Sequence, residues 1–179
     1  MKTGKTVKVL LTAATAAGML AGCGSKTDTD TFRFASELDI QGMDSTVVDD
    51  GMSFNAIHAI TDGLTAVNEK GKTAPAIAKS WDVSDDGKTY TFHLRDAKWT
   101  NGDKVTANDF VYSWRKIIKD AGNYAYMLGS GGASVKNADA LMELGANATD
   151  EQMATLGVTA KDDKTLVVEL ETKFHISQT

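Results

Sequence analysis

Asp49 and Asp50 end the run Ser-Thr-Val-Val-Asp-Asp-Gly over 45–51, just before a stretch with helical spacing. Two acids at a helix start are explained by the helix dipole, which favours negative charge there. Tyr124 and Tyr126 offer broad apolar faces with polar tips, which suits a pocket wall or a packed core. The histidines, His58, His93 and His175, are scattered, and the single cysteine is Cys23. No spacing among them matches a metal site, and no Ser-His-Asp or Cys-His arrangement can be drawn. Gly-Ser-Gly-Gly at 129–132 neither follows a clear strand nor runs into Lys-Ser/Thr, so it is a poor phosphate cradle. The chemistry on offer is binding, with no enzyme, metal or cofactor implied.

The chain has 179 residues, a net charge of −5 and 42% apolar residues. Its pI near 5.1 argues against nucleic acid, since no basic excess exists to displace counterions from phosphates. Three tryptophans and the apolar fraction are enough for a packed core. One cysteine cannot close an internal disulfide.

Lys2, Lys5 and Lys8 form a basic start, and the apolar or small-residue stretch Val7 to Leu20 follows. At about 1.5 Å per residue this stretch reaches about 21 Å, short of a bilayer core of about 30 Å. It reads as a signal peptide over residues 1–22. Leu20-Ala21-Gly22-Cys23 resembles the bacterial lipobox, which implies lipidation at Cys23. Residues 23–30 then read as a solvated tether, which places the protein on the extracytoplasmic face of the cell membrane by a lipid anchor.

The elements beyond it alternate in type. Thr31 to Ser36 alternates like a strand, and Ser53 to Thr61 reads as a helix with Phe54, Ile57 and Ile60 on one face. Leu64 to Asn68 runs into a turn at 69–72, and Pro75 opens an apolar turn. Lys79 to Ser84 and Lys88 to Arg95 flank Asp85-Asp86-Gly87, a hairpin signal, with Tyr90, Phe92 and Leu94 on one face. Thr106 with Asp109 predicts a capped helix to about Lys119, carrying Phe110, Val111, Trp114, Ile117 and Ile118 as its apolar stripe. Ala138–Gly145 and Asp150–Leu156 read as short helices, each followed by a glycine stop. Gly157 to Lys161 and Thr165 to Leu170 form a last hairpin. Hairpins interleaved with short helices make the fold class α+β.

Ala74-Pro75, Ile77-Ala78, Ser80-Trp81 and then 90–114, YTFHLRDAKWTNGDKVTANDFVYSW, carry a resemblance. The chain resembles the oligopeptide-binding, solute-binding lipoproteins of ABC importers, the peptide/nickel-binding family, over about residues 31–172. The resemblance implies a two-lobed fold with an extra small lobe, and a peptide held between the large lobes. It assigns residues 31–50 to the first segment of lobe one, and 51–172 to the small lobe. Asp49, Asp50 and Gly51 fall where the family contacts its ligand, with Asp49 in place of the usual Glu. Tyr124 matches a family tyrosine and Tyr126 does not. Trp81, Trp99 and Trp114 are expected in the lobe's own core. The implied partners are an oligopeptide and a membrane permease.

Residues 173–179 leave the pattern. Read one base out of frame, codons permitted for this tail encode Val-Pro-Tyr-Phe-Pro-Asn, the continuation the resemblance implies. The expectation is a frameshifted N-terminal fragment without peptide binding of its own. A surface interaction or decoy module is the alternative.

Overall fold

The computed structural model describes residues 35–36 and 38–173. The signal peptide, Cys23, the tether, most of the strand expected at 31–36 and His175 in the tail lie outside them; Ala35 and Ser36 carry no regular structure. From Leu38 onward the described chain forms one compact unit.

Helix α1, Gly51–Ile60, opens the regular structure. A two-stranded hairpin follows, β1 (Thr65–Val67) paired antiparallel with β2 (Thr73–Pro75). The Asn68 side chain holds its turn by accepting from the backbone N–H groups of Lys70 and Lys72, at 2.9 and 3.1 Å. Strands β3 (Ala78–Val83) and β4 (Thr89–Leu94) form the second hairpin, with Trp81 opposite Phe92. Gly87 sits in its turn at φ +69°, a conformation costly for any residue with a Cβ.

Helix α2, Ala107–Lys119, starts on the expected capping box: Asp109 accepts from the Thr106 backbone N–H at 2.7 Å. A 3-10 turn (Ala125–Met127), helix α3 (Ala138–Leu144), a second 3-10 turn (Gly145–Asn147) and helix α4 (Asp150–Met153) follow. Strands β5 (Val158–Asp162) and β6 (Thr165–Glu169) end the described fold.

The last four strands make one antiparallel sheet in the order β3-β4-β6-β5. Hairpin pairing brings β3 to β4 and β5 to β6, and the long-range β4–β6 ladder joins them through Tyr90–Val168 and Phe92–Leu166 pairs. Alternation turns Tyr90, Leu94, Leu166 and Val168 to one face, where Val111 and Ile118 of α2 and Leu141 of α3 cover them. This helix-on-sheet core confirms the α+β class.

Three details depart from the sequence reading. Ile60 is 70% exposed. Steps of three fall short of a full turn at about 100° per residue, so Ile60 has rotated away from the buried side of α1. That side carries Ser53 and Ile57. Trp99 is 47% exposed, whereas Trp81 and Trp114 pack on the core. The turn closed by Trp99 and Asp103, with N to O 2.9 Å, swings the indole outward. Helix α4 ends at Met153, well before Gly157.

Candidate ligand-binding site

Asp50 caps α1: its Oδ1 accepts the Ser53 backbone N–H at 2.8 Å. That bond holds the Asp50 carboxyl below its ordinary range. Its Oδ2 is shielded and has no hydrogen-bond partner among the described residues. Asp49 and Gly51 on either side are exposed. The N-cap bond is the structural role expected of an acid at a helix start.

One turn into α1, Phe54 meets Tyr124 edge-on, with ring centroids 5.2 Å apart. Tyr126 tilts against Tyr124 at 6.3 Å, and His58 lies at the same distance from Phe54. Tyr124 is half-buried while Tyr126 and Met127 are more than half exposed. The result is an aromatic wall beside the Asp49–Gly51 loop. The 3-10 turn at 125–127, which the sequence pattern does not announce, is what directs Tyr126 outward.

Three residues outside the predicted set hold this arrangement. Ser53 is fully buried, and its Oγ accepts from the backbone N–H groups of Gln41 and Gly42 at 2.9 and 3.2 Å. Lys116, on α2, donates to Asp120 at 2.8 Å, to Thr46 Oγ1 at 3.2 Å and to Asp44 at 3.4 Å. The bond to Asp120 comes first among the causes that raise the Lys116 pKa, and the Thr46 hydroxyl is the main cause lowering that of Asp44. Asn123 donates through Nδ2 to the Val47 carbonyl at 2.6 Å, and its own N–H reaches the Thr46 carbonyl at 3.2 Å. These bonds clamp the segment before α1 onto the C-terminal end of α2. Only a polar residue on an otherwise apolar helix face, Ser53, was a signal available in the sequence.

Other sequence candidates go elsewhere. The glycine loop at 129–132 spends the Ser130 N–H on the Asp139 carboxylate, at 3.1 Å to each oxygen, so its place for an anion is taken internally. His93 pairs with Asp82 across β3–β4 at 2.7 Å, on the face away from the core. Among the described residues, no cluster of three metal-ligating side chains occurs.

Comparison with known proteins decides the family. Residues 72–178 match the model for bacterial extracellular solute-binding proteins, family 5. The chain belongs to that family. A dipeptide-binding protein of Lactococcus lactis is 38% identical over 174 residues, 95% of this chain and 30% of the relative. A periplasmic oligopeptide-binding protein of Haemophilus influenzae is 41% identical over 64% of this chain and 20% of its own length. Among solved structures, the substrate-binding domain of a Bacillus anthracis oligopeptide ABC transporter superposes with TM-score 0.70 at 36% identity. That match covers 79% of this chain and 26% of the other. The chain therefore spans under a third of the relatives it matches. Family 5 proteins bind solutes and do not transform them, in keeping with a site built from a capped loop and an aromatic wall.

Proposed function

We propose that this chain supplies part of the peptide-binding apparatus of an extracytoplasmic oligopeptide-binding protein of an ABC importer, anchored by lipid at Cys23. Family membership joined to one geometric fact carries the reading: the Asp49–Gly51 loop and the Tyr124 wall, far apart in sequence, are clamped side by side. A peptide backbone can pair with such a loop while its side chains rest on the tyrosines.

On this reading residues 31–50 begin lobe one and 51–172 form the small lobe. Capture requires a second large lobe closing by a hinge, so residues 31–172 do not hold peptide by themselves.

Three measurements test this. Titrating the chain calorimetrically with mixed short peptides should give no saturable heat; micromolar binding would overturn the two-lobe requirement. Grafting residues 38–173 into the corresponding part of the H. influenzae relative should preserve that protein's peptide binding, and Tyr124→Ala in the graft should weaken it. A folded graft that binds no peptide sinks the reading. Cys23→Ala should abolish incorporation of labelled palmitate.

A further inference from the structure

The outer side of α2 carries a second feature, which shares no residue with the Asp49–Gly51 loop or the tyrosine wall. Tyr112, Arg115 and Lys119 follow one another there at helical spacing. With Val111 beneath them and Asp150 and Met153 of α4 opposite, they border an open groove of about 610 Å³. That lies within the span of about 300–1,000 Å³ usual for small-molecule sites. Val111 and Met153 are buried and apolar, whereas Tyr112 is 68% exposed beside them.

Charge pairing in the groove is incomplete. Lys119 bridges to Asp150 at 3.0 Å, closing one end, and Lys116 is engaged by Asp120 and Asp44. Arg115 has no carboxylate partner among the described residues, and its Nε is shielded from water with no acceptor. The rest of its guanidinium borders the groove, and an arginine fork is shaped to receive a carboxylate. One uncompensated positive charge selects a monoanion, and the apolar floor with the Tyr112 ring calls for an apolar body attached to it.

We propose that this groove binds a small carboxylate carrying one apolar group. Arg115 receives the carboxylate, and Tyr112, Val111 and Met153 enclose the apolar part. The inference is independent of peptide capture, since it uses other residues.

The test is titration of the ¹⁵N-labelled chain with 4-phenylbutyrate, read at the Arg115 Nε–Hε and Tyr112 amide resonances. Saturable shifts at both are expected. The uncharged amide, 4-phenylbutyramide, should bind at least about tenfold more weakly, because it lacks the charge that strengthens the hydrogen bond. Arg115→Ala should weaken binding of the acid by about tenfold or more, with Arg115→Lys between the two. The proposal is overturned if the acid moves neither resonance, or if acid and amide bind alike. Equal binding by a folded Arg115→Ala variant would overturn it too. Should Arg115→Ala unfold, the acid–amide comparison on the parent chain still decides.

Discussion

Phe54 and Tyr124 meet edge to face, with their ring planes at 81° and centroids 5.2 Å apart. This contact joins α1 to the loop after α2, so it fixes where the Asp49–Gly51 loop stands relative to the tyrosine wall. Aromatic pairs of this geometry contribute about 0.5–1.5 kcal/mol beyond their buried area. A double-mutant cycle with Phe54→Leu and Tyr124→Leu, followed by urea unfolding, should return a coupling in that range. Strict additivity would mean that the rings are neighbours without being partners.

Ser53 makes a sharper claim. It is wholly buried and accepts two backbone N–H groups, from Gln41 and Gly42. Ser53→Ala keeps the volume nearly unchanged but leaves both donors without an acceptor, at about 1–3 kcal/mol. Its urea midpoint should fall accordingly, with faster amide exchange at Gln41 and Gly42. An unchanged midpoint would show that water reaches those amides.

Acid stability follows from several carboxylates at once. Asp44, Asp50, Asp86 and Asp162 are all held below their ordinary range, chiefly by hydrogen bonds from the Thr46 hydroxyl, the Ser53 backbone N–H, the Ser84 hydroxyl and the Lys164 backbone N–H respectively. In the unfolded chain they take up protons near pH 3.9, whereas the folded state resists protonation to lower pH. Their contribution is therefore complete above about pH 5 and is lost as pH falls through about 4 and below. Melting temperature against pH should be level in the neutral range and drop steeply below that point. Asp44→Asn combined with Asp50→Asn should give a shallower drop, and an identical slope would remove these two groups from the account.

How much of this was legible beforehand depended on whether the signal was local. The β3–β4 and β5–β6 hairpins, the Thr106–Asp109 cap and the α2 stripe each rest on residues close in sequence, and they stand as read. The β4–β6 ladder joins strands distant in the chain, which no turn signal specifies. The same limit applies at the site. Asp50 was visible as a helix-start acid, but its clamp uses Lys116 and Asn123, which look like ordinary surface residues until the fold brings them to Asp44, Thr46 and Val47. Trp99 misled because an aromatic in a strong motif reads as core, while its turn geometry faces it outward.

Gly122 tests the clamp from the backbone side. A Cβ built there would stand 2.7 Å from both the Thr46 carbonyl oxygen and Ile117 Cγ1. Neither neighbour is the loose end of a flexible chain, so Gly122→Ala must push the segment before α1 off α2. Overpacking of this kind costs about 1–3 kcal/mol. The strain should fall selectively on one side: amides of 44–48 should exchange faster, while the β4–β6 ladder keeps its protection. Uniform loss of protection would make Gly122 a determinant of the whole core. The selective pattern would establish that the candidate ligand loop is held by a clamp separable from the sheet, so that its position can shift without unfolding the domain.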